Sequence, residues 1–148
     1  MNPLMLSLAL AGGPLSPQTD ARGVYFPVPL EFRGSFAWQG EAPSPVRMLV
    51  SRASKVQGDS LMLEGTVRYG PECTNLFKAF VGRSSGTLRM TESALKCPDG
   101  AVSGVYLGFA SGDLNTLEAV WKDASGQEGK LSLKAVTNAF IRVDNAVR

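Results

Sequence analysis

The sequence contains no histidine. This absence removes the commonest general base, the usual partner of a catalytic serine and a favoured zinc ligand. Charge is scarce as well. Asp, Glu, Lys and Arg make up 19% of the 148 residues, and the 15 basic side chains, set against 13 acidic ones, include no run of three. A nucleic-acid surface needs concentrated positive charge and a coiled coil needs a far higher charged fraction, so neither fits. Long apolar runs are missing too. The stretch Leu4 to Leu10 covers seven residues, where a membrane-spanning helix needs about 20. Cysteine is limited to Cys73 and Cys97, without a Cys-x-x-Cys spacing, and the carboxylates are scattered singly. No metal and no cofactor are therefore expected.

Glycine and proline are plentiful, at 16 and 9 residues, within a chain that is 44% hydrophobic. A helix interior tolerates neither, since glycine costs roughly 1 kcal/mol there and proline about 3. Strands joined by many turns use both. The length suits one domain with one core.

The first residues combine the apolar stretch from Leu4 with Ala9-Leu10-Ala11, the small-x-small form accepted by signal peptidases. Residues 1–11 are read as a signal peptide and 12–23, rich in Gly, Pro, Ser and Thr, as a flexible linker. The remaining chain is then periplasmic or secreted. A bridge between Cys73 and Cys97 suits an oxidising compartment and would close a loop of 25 residues, 73 through 97. Turn chemistry flanks both, at Pro71-Glu72-Cys73 and Cys97-Pro98-Asp99-Gly100.

Residues 24–137 read as a single β domain, with 138–148 as a tail or edge strand. Leu30, Phe32, Phe36 and Trp38 share one face, and Glu31, Arg33, Ser35 and Gln39 the other, which is the period of a half-buried strand. Val46, Met48 and Val50 alternate with Arg47 and Ser51. Leu61, Leu63, Val67 and Tyr69 oppose Glu64, Thr66 and Arg68. Asn75 to Val81 fits a helical turn as well as a strand. Thr87 to Ser93 alternates again, and Ala101 to Phe109 carries Val105, Leu107 and Phe109 on one side. Leu114 to Trp121 and Lys130 to Val136 complete the series around the hairpin signal Asp123-Ala124-Ser125-Gly126.

The expected fold is all-β: a single small antiparallel meander barrel of about 7–8 strands, with a β-sandwich as the alternative. The architecture is calycin-like, and the likeness stops there. Lipocalins place one residue between the glycine and tryptophan of the first strand, whereas Gly34-Ser35-Phe36-Ala37-Trp38 places three.

Two motifs invite a catalytic reading. Gly82-Arg83-Ser84-Ser85-Gly86 matches the G-x-S-x-G elbow, but that elbow needs a helix after the serine and a histidine beside it. Ser93-Ala94-Leu95-Lys96 matches S-x-x-K without its companion motifs or its helix. The chain is therefore read as a non-enzyme. The candidate ligand-binding residues are Trp38, Tyr69, Glu92, Tyr106 and Trp121. The tryptophans lie near strand ends, where large rings plug a barrel mouth or stack on a ligand. Glu92 is in phase with Leu88 and Met90, which aims it inward and calls for a partner such as Arg68 or a ligand amine. Gly100, Gly104, Gly108 and Gly112 fall in phase with Tyr106, as a slot or as close packing beneath an aromatic.

The functional expectation is an exported, non-enzymatic β-barrel that binds a small apolar ligand or a protein. The alternative is a periplasmic inhibitor or immunity protein acting through a disulfide-stapled loop between Cys73 and Cys97.

Overall fold

The computed structural model describes residues 18–20, 23–25, 28–56, 58–96 and 104–144. Cys97, the leader segment and part of the linker lie outside them. Strands β1 (Gln18–Asp20) and β2 (Gly23–Tyr25) pair with each other, so part of the stretch read as linker is strand. The barrel strands are β3 (Val28–Trp38), β4 (Ser44–Lys55), β5 (Ser60–Tyr69), β6 (Cys73–Gly82), β7 (Thr87–Lys96), β8 (Val105–Ala110), β9 (Thr116–Lys122) and β10 (Glu128–Ile141). Each pairs antiparallel with the next, and β10 returns to pair with β3. The result is a closed eight-stranded antiparallel barrel, with β11 (Val143–Asp144) added parallel to β4 on the outside. Closure leaves no free edge in the ring, and with one sheet closed on itself there is no second layer to make a sandwich.

Alternation drives the inward packing. Phe32, Met48, Leu61, Leu63, Met90, Leu117, Leu131 and Leu133 are fully buried in the barrel interior, while Arg33, Arg47, Lys78, Arg89, Lys130 and Lys134 point to solvent. An apolar inside with charges outside is the reverse of a barrel that faces lipid. Among the described residues no helix is long and apolar enough to cross a membrane.

Three stretches sharpen the sequence reading. Asn75 to Val81, left open between helix and strand, is strand: Phe77, Ala79 and Val81 are buried while Leu76 and Phe80 face out. The described part of the segment between the cysteines, through Lys96, is the hairpin β6–β7, two staves of the barrel, where the sequence reads a loop. In β8 the apolar odd positions face outward, with Leu107 58% and Phe109 66% exposed, and Tyr106 points in.

Glycines set the bends. A Cβ at Gly34, Gly65 or Gly108 would lie 1.8–1.9 Å from a carbonyl oxygen of the neighbouring strand, a closeness that lets a small barrel coil. One end of the barrel is plugged by Val28, Leu61, Val81, Leu88 and Leu114, all buried. Leu114 holds a left-handed φ of 58°. Its turn is fastened by Asp113, whose Oδ1 accepts from the Ser111 hydroxyl at 2.7 Å and the Asn115 amide at 2.9 Å.

Candidate functional site

The other end is open. It is framed by the β3–β4, β5–β6 and β9–β10 turns, and the inward rows of six strands end there in large or polar side chains. Pairing explains the arrangement. Gly129 on β10 sits between Trp38 on β3 and Trp121 on β9. With no side chain at that position, the two indoles meet edge to face at 5.1 Å. The Phe36 ring fills the vacated space, its Cζ 2.1 Å from where a Gly129 Cβ would lie. Gly104 does the same for Trp121, whose Cε2 stands 2.0 Å from the would-be Cβ. The glycine stripe is therefore no slot: Gly104 is covered by Trp121, Gly108 backs onto β9, Gly112 sits in a turn, and Gly100 lies outside the described residues.

Below the rings lies a polar floor. Tyr69 on β5 donates its hydroxyl to Oε2 of Glu92 on β7. The Tyr106 hydroxyl, 2.7 Å from that of Tyr69, then donates to the Tyr69 oxygen, because the Tyr69 proton is already committed. Asn75 on β6 donates through Nδ2 to Glu92 Oε1 at 3.1 Å. Asn75 is only 3% exposed, and its Oδ1 is buried without a partner. Burial pushes the Glu92 carboxyl above its ordinary range, against the hydrogen bonds from Tyr69 and Asn75 that favour the ionised form. Burial also drives both tyrosine hydroxyls far upward, with the Glu92 charge adding to it. Both tyrosines remain protonated donors.

The cavity enclosed by these groups measures about 550 Å³. Trp38, Tyr69, Glu92, Tyr106 and Trp121, the five residues named from sequence, all line it. Trp38 is its lip at 38% exposure, while Trp121 is buried. The expected partnership of Glu92 with Arg68 is not made. Arg68 faces outward and donates to the carbonyl oxygens of Gly70 at 3.1 Å and Pro71 at 3.0 Å. The sequence reading missed Asn75 as a site residue, and its signal appears only once β6 is taken as strand, when Asn75 falls in phase with Phe77 and Ala79. Phe36 was legible as core but not as wall. Three further acids, Glu41, Glu72 and Asp123, stand around the opening. No Lys or Arg occurs among the described lining residues.

The two serine motifs lie elsewhere. Ser84 sits in the β6–β7 turn, where Asp59 accepts from both its amide and its hydroxyl. Ser93 and Lys96 pair with Leu76 and Thr74 of β6 across a bulge in β7, which sets both on the outer face of the barrel, away from the cavity. Among the described residues no three His, Cys, Asp or Glu side chains converge as a metal site would require. Cys73 begins β6 opposite Tyr69 and borders the cavity.

Fold and site together define a closed up-and-down barrel with an aromatic-walled, carboxylate-floored cavity at one mouth. Comparison with protein-family models, with curated proteins and with solved structures finds no match.

Proposed function

We propose that this chain is an exported, non-enzymatic binding barrel that takes a small molecule in the cavity at its mouth. The observation that carries the reading is the cavity itself. Its volume of about 550 Å³ falls within the roughly 300–1,000 Å³ of small-molecule sites, and an eight-stranded ring has room for one small ligand. Rigid aromatic walls with a few polar groups at the base are the usual composition of such a site. A non-enzymatic role is favoured by the positions of the serine motifs, both outside the cavity.

Export rests on the N-terminal residues and on a bridge from Cys73 to Cys97. Thr74 lies opposite Lys96 across β6 and β7, and in the sequence Cys73 precedes the one and Cys97 follows the other. The alternative, a periplasmic inhibitor or immunity protein acting through the segment between Cys73 and Cys97, would present the β6–β7 hairpin to its partner.

Native mass spectrometry of protein freshly purified from a secreting host tests the proposal. Retention of a small molecule that leaves on unfolding is the expected result. A bare mass, together with no thermal shift across a chemically diverse ligand panel, would overturn it.

A further inference from the structure

We propose that the ligand is an organic cation, an ammonium group on an apolar body, with Glu92 as its counter-ion. This rests on the cavity being a binding site and goes on to name its ligand class.

The hydrogen-bond inventory of the floor is lopsided. Tyr69 spends its proton on Glu92, Tyr106 spends its own on Tyr69, and the Asn75 amide donates to Glu92. Every donor found there is already directed at another member of the cluster. Acceptors are in surplus. A carboxylate offers about four lone-pair directions, of which Glu92 has two in use. Asn75 Oδ1, buried beside the floor, accepts nothing. The orientation of that carboxamide is set by Glu92, which requires the NH₂ end to face it. Such a floor calls for a group that only donates, and an ammonium has three N–H bonds and no acceptor.

Other ligand classes fit worse. An anion would approach Glu41, Glu72 and Asp123 at the opening and Glu92 at the base, with no Lys or Arg among the described lining residues to offset them. A wholly apolar guest would bury Glu92 beneath hydrocarbon, which is costly for a carboxylate. An inorganic cation would want several converging oxygens, and no three carboxylates converge among the described residues. The walls add a positive reason. The faces of Trp38, Trp121 and Phe36 carry the negative end of the ring quadrupole and attract an alkylammonium. The volume exceeds what a bare ammonium fills, so the cation carries a body.

Isothermal titration with three probes sharing one body, 4-phenylbutylamine, 4-phenylbutanol and 4-phenylbutyrate, separates these cases. The amine should bind at least about tenfold more tightly than the alcohol, the carboxylate should bind most weakly, and in Glu92→Gln the amine preference should shrink to about twofold or less. Equal or tighter binding of the alcohol or the carboxylate by the wild-type protein would overturn the cation assignment and leave the binding cavity standing. An undiminished amine preference in a folded Glu92→Gln would overturn Glu92 as counter-ion. If no probe binds or changes tryptophan fluorescence, both the ligand class and the cavity reading fall. The wild-type probe ratio needs no variant, so a poorly folding Glu92→Gln leaves the test decisive.

Discussion

Asn75 and Glu92 divide one carboxamide between a satisfied and an unsatisfied half. Nδ2 of Asn75 donates to Glu92 Oε1 at 3.1 Å, while the carbonyl oxygen of the same group is buried without a donor. That arrangement keeps a titratable group at the base of the barrel mouth, with consequences for stability as well as recognition.

The first consequence is a pH dependence. Burial raises the Glu92 pKa in the folded state above its ordinary 4.5. The stabilisation belongs to the protonated form: it is fully present below 4.5 and is lost as pH rises through the folded value. Glu92→Gln removes that loss and supplies an NH₂ that Asn75 can accept after its amide turns. The groups facing Glu92 are Tyr69 from β5 and Tyr106 from β8, both neutral, with Glu41, Glu72 and Asp123 at the opening. Glu31, held low by Arg47 and Arg33, and Asp59, held low by Ser84, are present in both proteins and cancel. Denaturant unfolding should show Glu92→Gln gaining on the wild type by on the order of 1 kcal/mol between about pH 4.5 and pH 8. A difference that stays flat across that range would count against a buried, titrating Glu92.

The second concerns the aromatic walls. Alanine at Gly104 would put a methyl group 2.0 Å from Trp121 Cε2, and at Gly129 one 2.1 Å from Phe36 Cζ. Those rings are hemmed in by each other and by Trp38, so each substitution should cost about 1–3 kcal/mol and shift the tryptophan emission. Gly112→Ala meets nothing within 4 Å and should lie within about 0.5 kcal/mol of wild type.

Core and surface leucines offer a third comparison. Leu133 is 1% exposed and Leu107 58%. Leu133→Ala should destabilise by about 2–5 kcal/mol, and Leu107→Ala by less than about 0.5. Chemical denaturation of both variants checks the direction in which β8 faces.

That comparison also marks where the sequence was legible. Over much of β3, β4, β5 and β7 hydrophobic and polar residues alternate, interrupted by Leu49, by a register shift between Val50 and Arg52 and by the buried run Leu61, Met62 and Leu63, and those strands with their inward faces follow from the pattern. In β8 the larger apolar residues, Leu107 and Phe109, face solvent. The inward positions carry small residues beside Tyr106 because Trp121 from β9 occupies the room above Gly104. A single strand's pattern does not contain its neighbour's ring. The apolar residues of β6 occupy both faces, which hid its period and, with it, the place of Asn75. β10 continues through Ile141, past a register shift between Val136 and Phe140 that breaks the alternation where the sequence reads a tail or edge strand. Five cavity residues were legible because each is large or charged and in phase at a strand end. Their mutual hydrogen bonds depend on curvature that brings β5, β7 and β8 together, and no local pattern encodes it.

The cysteine pair gives a fourth prediction. Intact mass before and after reduction and alkylation should show both thiols protected in exported protein. Replacing both by serine should lower stability by about 3 kcal/mol in the chain-entropy account of a loop of this length. Two free thiols in exported material would exclude the bridge.

The ring closes only when β10 reaches β3, pairing Gly129 with Trp38 and Lys134 with Arg33 across some hundred residues of chain. Every other barrel pairing is between sequence neighbours. A nascent chain still lacking β10 therefore holds a meander with two raw edges and half-covered rows of leucine and phenylalanine. The contact that seals the ring spans the greatest sequence distance in the barrel, and pairing of that kind is slow to form. On the export route proposed above, that delay would keep the chain threadable until its last stave had crossed.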